Sequence, residues 1–274
     1  MRNQFVRWNM MAAAAMGLMA NAAMATSITL YPGDLGSTNV VGSPNAAPGF
    51  PNSSWQADTT VASTADNKSE LYIPVAALFS GPVTVGDLAS ISYFTNKPGD
   101  AGSPDWTFLI YTAKQAGDSS FYHSRLNSEP YLTGTSDADD PANAWHQWST
   151  DGSDPMRFYD ANRDGGVYGT YTDPTLAQLT AGPVTWNGSG ENGTSHDYSG
   201  EDISYFSLQT GSAWADGFTG LLDGLQIKLT DGQVGTVNFE SATPLPSAAW
   251  GGLVLCGMIG MTGGAKRLRR SASI

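Results

Sequence analysis

The stretch GLQIKLTDGQVGTVNF, residues 224–239, decides the fold. Two strand-like runs, 224–230 and 233–239, flank Asp231-Gly232. An Asp-Gly pair between such runs predicts a β-hairpin closed by a type I′ turn. Upstream the texture repeats: short runs rich in β-branched and aromatic residues, separated by Gly, Pro, Asp and Asn. They fall at 27–31, 70–74, 89–95, 106–112, 121–126, 144–149, 156–159, 167–171 and 203–209. In Ile91-Ser92-Tyr93-Phe94-Thr95 and Thr107-Phe108-Leu109-Ile110-Tyr111 the apolar residues are dense enough for strands buried on at least one face. Only 174–179 reads as helix, of one or two turns, and no long segment has a 3.6-residue period. The segment 32–68, rich in Pro, Gly, Asn, Ser and Thr, reads as irregular loop around the edge of the fold, and WNGSGENGTSHDYSGE (186–201) as a flexible acidic loop. Many short strands joined by loops of turn composition predict an all-β protein, a two-sheet sandwich or jelly roll.

The two ends carry addresses. Arg2 and Arg7 precede an apolar run at 10–20, and Ala23-Met24-Ala25 is a small-x-small site. Residues 1–25 therefore read as a signal peptide cut by signal peptidase after Ala25. At the other end Pro244-Leu245-Pro246 breaks the chain before an apolar stretch, 248–265, followed by Lys266, Arg267, Arg269 and Arg270. As a helix that stretch is about 27 Å long, just enough to span a bilayer. The basic cluster would hold its end on the cytoplasmic side. The domain between runs over 26–243 and is long enough for a sizeable core.

This tail, 244–274, resembles that of the PEP-CTERM class of bacterial exported proteins, in which a proline motif, a short transmembrane helix and a terminal basic cluster occur in this order. Pro244-Leu245-Pro246 stands where Pro-Glu-Pro is usual and matches the Pro-Leu-Pro variant. The resemblance implies transient insertion in the inner membrane, processing near the proline motif by an exosortase-type transpeptidase, and residence in the cell envelope or an extracellular polysaccharide matrix. More faintly, the domain resembles concanavalin-A-like sandwiches. The carriers are Leu88-Ala89-Ser90-Ile91-Ser92-Tyr93, Arg125-Leu126 with Glu129-Pro130, Trp145-His146-Gln147-Trp148, and Phe218-Thr219-Gly220-Leu221-Leu222-Asp223 leading to Val237-Asn238-Phe239-Glu240. That resemblance implies a fold and no activity.

Charge and cysteine content narrow the functions. All 25 acidic residues lie between the two end signals, against seven basic ones, a formal charge of −18 for that segment. Such a surface repels nucleic acid and anionic lipid and suits a solvated exterior or divalent cations. The single cysteine, Cys256, is in the tail, so the domain has neither disulfide nor thiol chemistry.

Catalytic patterns are absent from the sequence, and the expectation is a non-enzymatic structural or adhesive protein. Glycosidases of this fold place two glutamates close together on one strand, and none of the five here has that spacing. Glu129 and Glu240 sit beside strand-like runs and form a pair only if folding joins them, which keeps a divergent hydrolase or lyase as an alternative. No Gly-x-Ser-x-Gly elbow is present, and the spacing of His123, His146 and His196 does not mark a zinc site. Asp160-Ala161-Asn162-Arg163-Asp164-Gly165 fits the opening of a calcium loop. Its twelfth position is Tyr171, however, and the same residues suit a plain hairpin. Calcium is thus a candidate ligand of Asp160, Asn162 and Asp164. A carbohydrate-binding module is the other alternative, with Trp145, Trp148, Trp186 and Trp214 as candidate sugar platforms.

Overall fold

The computed structural model describes residues 25–59, 67–99, 104–129, 142–160, 163, 172–186, 195–211 and 217–241. In chain order the strands are β1 (Ala25–Leu30), β2 (Val40–Ser43), β3 (Ser54–Ala57), β4 (Glu70–Pro74), β5 (Leu88–Asn96), β6 (Thr107–Ala113) and β7 (Tyr122–Ser128). They continue with β8 (His146–Ser149), β9 (Tyr159–Asp160), β10 (Val184–Thr185), β11 (Ser195–His196), β12 (Ile203–Gln209), β13 (Leu221–Leu229) and β14 (Val234–Phe239). Among the described residues there are also two short α-helices, α1 (Val75–Leu78) and α2 (Leu176–Ala181), and two 3₁₀ turns. The protein is all-β.

The hairpin at 224–239 forms, but with a different turn. The Gly232 amide donates to the Leu229 carbonyl at 3.0 Å and the Leu229 amide to the Gln233 carbonyl at 2.9 Å. Gly232 has φ +91, and Asp231 does not share the left-handed region that a type I′ turn requires at both central residues. This is a three-residue loop with a left-handed glycine, in which the Asp231 side chain accepts the Gln233 amide at 3.0 Å.

β13 organises the larger sheet. One edge pairs with β5, which pairs in turn with β8, and the other pairs with β14 and, further along, with β3. β2 adds to β3, and β1 runs parallel to β14, so the first and last strands lie side by side. The second sheet is antiparallel throughout, in the order β4-β12-β6-β7-β9. Consecutive residues of a strand face opposite ways. Thus Leu71, Ile73, Phe108, Ile110, Phe206 and Leu208 are buried from one face of this sheet.

Those side chains meet the larger sheet in one core. The Tyr93 ring of β5 stacks on Phe108 of β6 at 6.1 Å, and Phe108 stacks on Phe206 at the same spacing. The polar groups of two of the core rings are hydrogen-bonded. The Tyr93 hydroxyl donates to the Trp106 carbonyl at 2.9 Å, and the Trp106 indole donates to the Gly220 carbonyl at 3.0 Å. Truncating one such ring costs about 3–5 kcal/mol, so a core of this kind holds without disulfides.

Two expectations about loops need correction. Residues 32–68 include β2 and β3, and Trp55 of β3 is wholly buried against Phe239, 4.9 Å away. Its indole also donates to the Glu240 carbonyl at 3.2 Å. One anchoring tryptophan outweighs the turn-like composition around it. The end of the 186–201 segment is also ordered: β11 pairs with β10, and Trp186 and Tyr198 are buried. Among the described residues no helix is long and apolar enough to cross a membrane. Residues 1–24 of the expected signal peptide, the strand at 167–171 and the sorting tail, including Pro244, Leu245, Pro246, Lys266, Arg267, Arg269 and Arg270, lie outside the described residues.

Candidate functional site

The face of the five-stranded sheet turned away from the core carries tyrosines in register. Tyr205 of β12 lies opposite Tyr111 of β6, Tyr111 opposite Arg125 of β7, and Tyr72 of β4 opposite Ser207. The alternation that sends Leu71, Ile73, Ile110 and Phe206 inward leaves these side chains on the other face. Their rings form a continuous cluster with Phe121 and Tyr122. Tyr111 is 5.3 Å from Phe121 and 5.1 Å from Tyr122 between ring centres, and Tyr72 is 5.5 Å from Tyr111 and 6.2 Å from Tyr205. The Arg125 guanidinium lies over the Tyr122 ring at 5.9 Å.

Phe121, at 55% exposure, opens this cluster to solvent. Hydrogen-bonding groups surround the rings. Gln209 donates to the Tyr111 hydroxyl at 3.1 Å, and the Tyr72 hydroxyl donates to Glu70 at 3.3 Å. Burial, then the neighbouring Tyr111 and Glu70, hold the Tyr72 phenol well above its usual range, and burial raises Tyr111 too. Both therefore remain neutral hydroxyls that can donate and accept. A groove of about 490 Å³, lined by Pro74, Val75, Phe79, Pro82, Ile203 and Tyr205, adjoins the cluster through Tyr205. Stacking surface, neutral polar groups and an adjacent groove suit a polyhydroxylated ligand.

A second constellation joins residues far apart in sequence. His123 on β7, His196 on β11 and Glu201, just before β12, bring one ligand-type atom each within 4.8 Å of one another. His196 Nε2 lies 2.6 Å from Glu201 Oε1, and His123 Nε2 lies 3.9 Å from the same oxygen. His123 Nδ1 is 3.1 Å from Asp118, which must be the acceptor, so Nδ1 carries the proton. The Gln115 amide, then His123, hold the Asp118 carboxyl below its usual range.

No family model, curated protein or solved structure matches the chain. The functional reading therefore rests on its own residues.

Of the tryptophans singled out from sequence, Trp148 and Trp186 are core residues. Trp148 is buried and its indole donates to Thr95 at 2.9 Å and to Asp105 at 3.2 Å. Trp186 is buried and donates to the Tyr198 hydroxyl at 2.8 Å. Trp145 is half-buried just ahead of β8, and Trp214 lies outside the described residues. Asp160 is wholly buried on β9. It accepts Arg163 at 2.5 Å and the Tyr198 hydroxyl at 2.8 Å, so a guanidinium already stands where calcium would have to approach this oxygen. Asn162 and Asp164 lie outside the described residues. Glu129 accepts the Tyr159 hydroxyl at 2.6 Å, whereas Glu240 accepts Ser53 at 2.5 Å and Asn238 at 2.7 Å. The two carboxylates thus belong to separate networks, one after β7 in the smaller sheet and one after β14 in the larger.

Proposed function

We propose that this chain is an exported, tail-sorted β-domain that holds an extracellular polysaccharide on its tyrosine face without turning it over. The observation that carries this reading is the Tyr72–Tyr111–Tyr205 cluster, opened to solvent by Phe121 and adjoined by the groove at Tyr205. Pyranose rings present C–H faces that stack on aromatic rings, while their hydroxyls need neutral donors and acceptors such as the half-buried Tyr72 hydroxyl; Tyr111 and Gln209 are buried and brace the rings from behind. The anchoring of Glu129 and Glu240 in separate networks supports binding over glycoside hydrolysis, which needs two carboxylates flanking one bond.

Export and sorting rest on the two end signals. Signal peptidase would release the chain at Thr26. An exosortase-type transpeptidase would act near Pro246 during a transient inner-membrane stage, leaving the domain in the envelope or matrix. We assign the sandwich to the concanavalin-A-like jelly-roll kind. The repeated crossing of the chain between the two sheets, from β3 to β4 to β5 to β6, supports this.

The test uses matrix polysaccharide from the native host, coupled to a support. The protein should be retained and then released by the free polysaccharide. Passage straight through, with and without added divalent cations, would overturn the reading.

A further inference from the structure

We propose that His123, His196 and Glu201 bind one divalent transition-metal ion of the zinc class, in a site separate from the tyrosine face. Two imidazoles and a carboxylate from three different elements converge to within 4.8 Å. Tetrahedral zinc, with ligand bonds of about 2.0–2.2 Å, needs its donor atoms roughly 3.3 Å apart. Opening the His196–Glu201 pair from 2.6 Å and closing the His123–Glu201 pair from 3.9 Å reaches that spacing by small side-chain rotations.

Three further features point to an ion and not merely to a histidine–carboxylate hydrogen bond. First, Glu201 is 9% exposed and its Oε2 is buried with no hydrogen-bond partner, which is costly for a carboxylate oxygen unless a cation meets it. Second, the outer shell of a metal site is in place. Asp118 holds His123 Nδ1 and turns Nε2 toward Glu201, and the Ser124 hydroxyl donates to Glu201 Oε1 at 3.1 Å. A ligating histidine whose second nitrogen donates to a carboxylate is the usual arrangement around zinc. Third, the surroundings are net negative: Asp118, Asp160, Asp197 and Glu201 outnumber the near cations Lys114, beside Asp118, and Arg163, which donates to Ser124 at 3.0 Å.

The donor set selects the metal. Two imidazoles and one carboxylate favour zinc and its transition-metal neighbours over calcium and magnesium, which require mostly oxygen. On binding, His196 moves its proton from Nε2 to Nδ1 and frees the ligating lone pair. Three protein ligands leave one tetrahedral position for an exogenous donor.

The test is metal stoichiometry and affinity on tag-free full chain, stripped with chelator and titrated with zinc. One equivalent should bind, cobalt substitution should give a tetrahedral visible spectrum, and calcium should not compete. His123→Gln with His196→Asn should abolish that equivalent. Asp118→Asn, which removes only the positioning carboxylate, should weaken binding about 10–100-fold. Far-ultraviolet circular dichroism checks that each variant is folded. Sub-stoichiometric binding by the wild type, or unchanged stoichiometry in a folded double variant, would overturn the assignment.

Discussion

Replacing Arg163 with methionine should destabilise the fold by about 3–5 kcal/mol, far more than loss of a surface ion pair. Asp160 is wholly buried, the Arg163 side chain is 13% exposed, and the two meet at 2.5 Å. Burial alone would push the guanidinium pKa down, but Asp160, joined by Tyr198 and Glu201, outweighs it and holds that pKa above its ordinary value. Arg163 also ties Asp160 to Ser124, while the Tyr198 hydroxyl, backed by the Trp186 indole, donates to the same Asp160 oxygen. Methionine keeps the volume of the stem and removes the charge, so a buried carboxylate loses its counterion and keeps Tyr198 as a neutral partner. In a domain of this size each kcal/mol moves the melting temperature by about 2–4 °C, so the loss is about 6–20 °C. The assay is thermal and urea unfolding of four proteins: wild type, Arg163→Met, Asp160→Asn and the double variant. The double variant should recover much of the loss, because a neutral buried pair no longer contains an orphaned charge. A loss below about 1 kcal/mol for Arg163→Met, the range of solvated pairs, would refute the reasoning.

Two further predictions concern acid behaviour and processing. Burial pushes the Asp223 carboxyl up to about 6, against the pull of the Ala47, Phe239 and Gly224 amides that it accepts. An unfolded aspartate titrates near 3.9, so between about pH 4 and 6 the folded state binds more protons. Asp223's contribution is full below about pH 4 and is lost as pH rises to 6, by roughly 3 kcal/mol. The stability of wild type minus that of Asp223→Asn should fall across this window, and a flat difference would contradict the assignment. For the tail, intact mass of protein from the native host should show a species starting at Thr26 and ending near Pro246. Replacing Lys266, Arg267, Arg269 and Arg270 together should block that processing; wild-type processing in the variant would remove the basis for sorting.

The sequence made some elements plain and concealed others for identifiable reasons. Residues 70–74 and 203–209 become β4 and β12 with those bounds, because both runs are dense in β-branched and aromatic residues. β2 and β3 were hidden by Gly, Pro, Asn and Ser; what holds them is the long-range packing of Trp55 on Phe239, which no local window contains. Tryptophan was the natural sugar platform to seek, yet Trp148 and Trp186 are buried with bonded indoles. Tyr72, Tyr111 and Tyr205 come from separate runs and share a face only once strand register is known. A weak signal existed in Phe121-Tyr122-His123, where three aromatic rings precede a polar strand. His123, His196 and Glu201 lacked any ligand spacing because β7, β11 and the entry to β12 supply one residue each.

The most direct test of the account is the affinity of the native matrix polysaccharide for wild type, Phe121→Ala and Tyr122→Ala, by calorimetry or affinity electrophoresis. Phe121 is 55% exposed, so its loss should leave the fold standing. Losing a stacking surface worth at least about 1.4 kcal/mol should weaken binding about tenfold or more in each variant. Wild-type affinity in both variants, with binding intact, would place the ligand elsewhere and contradict the tyrosine face as the binding surface.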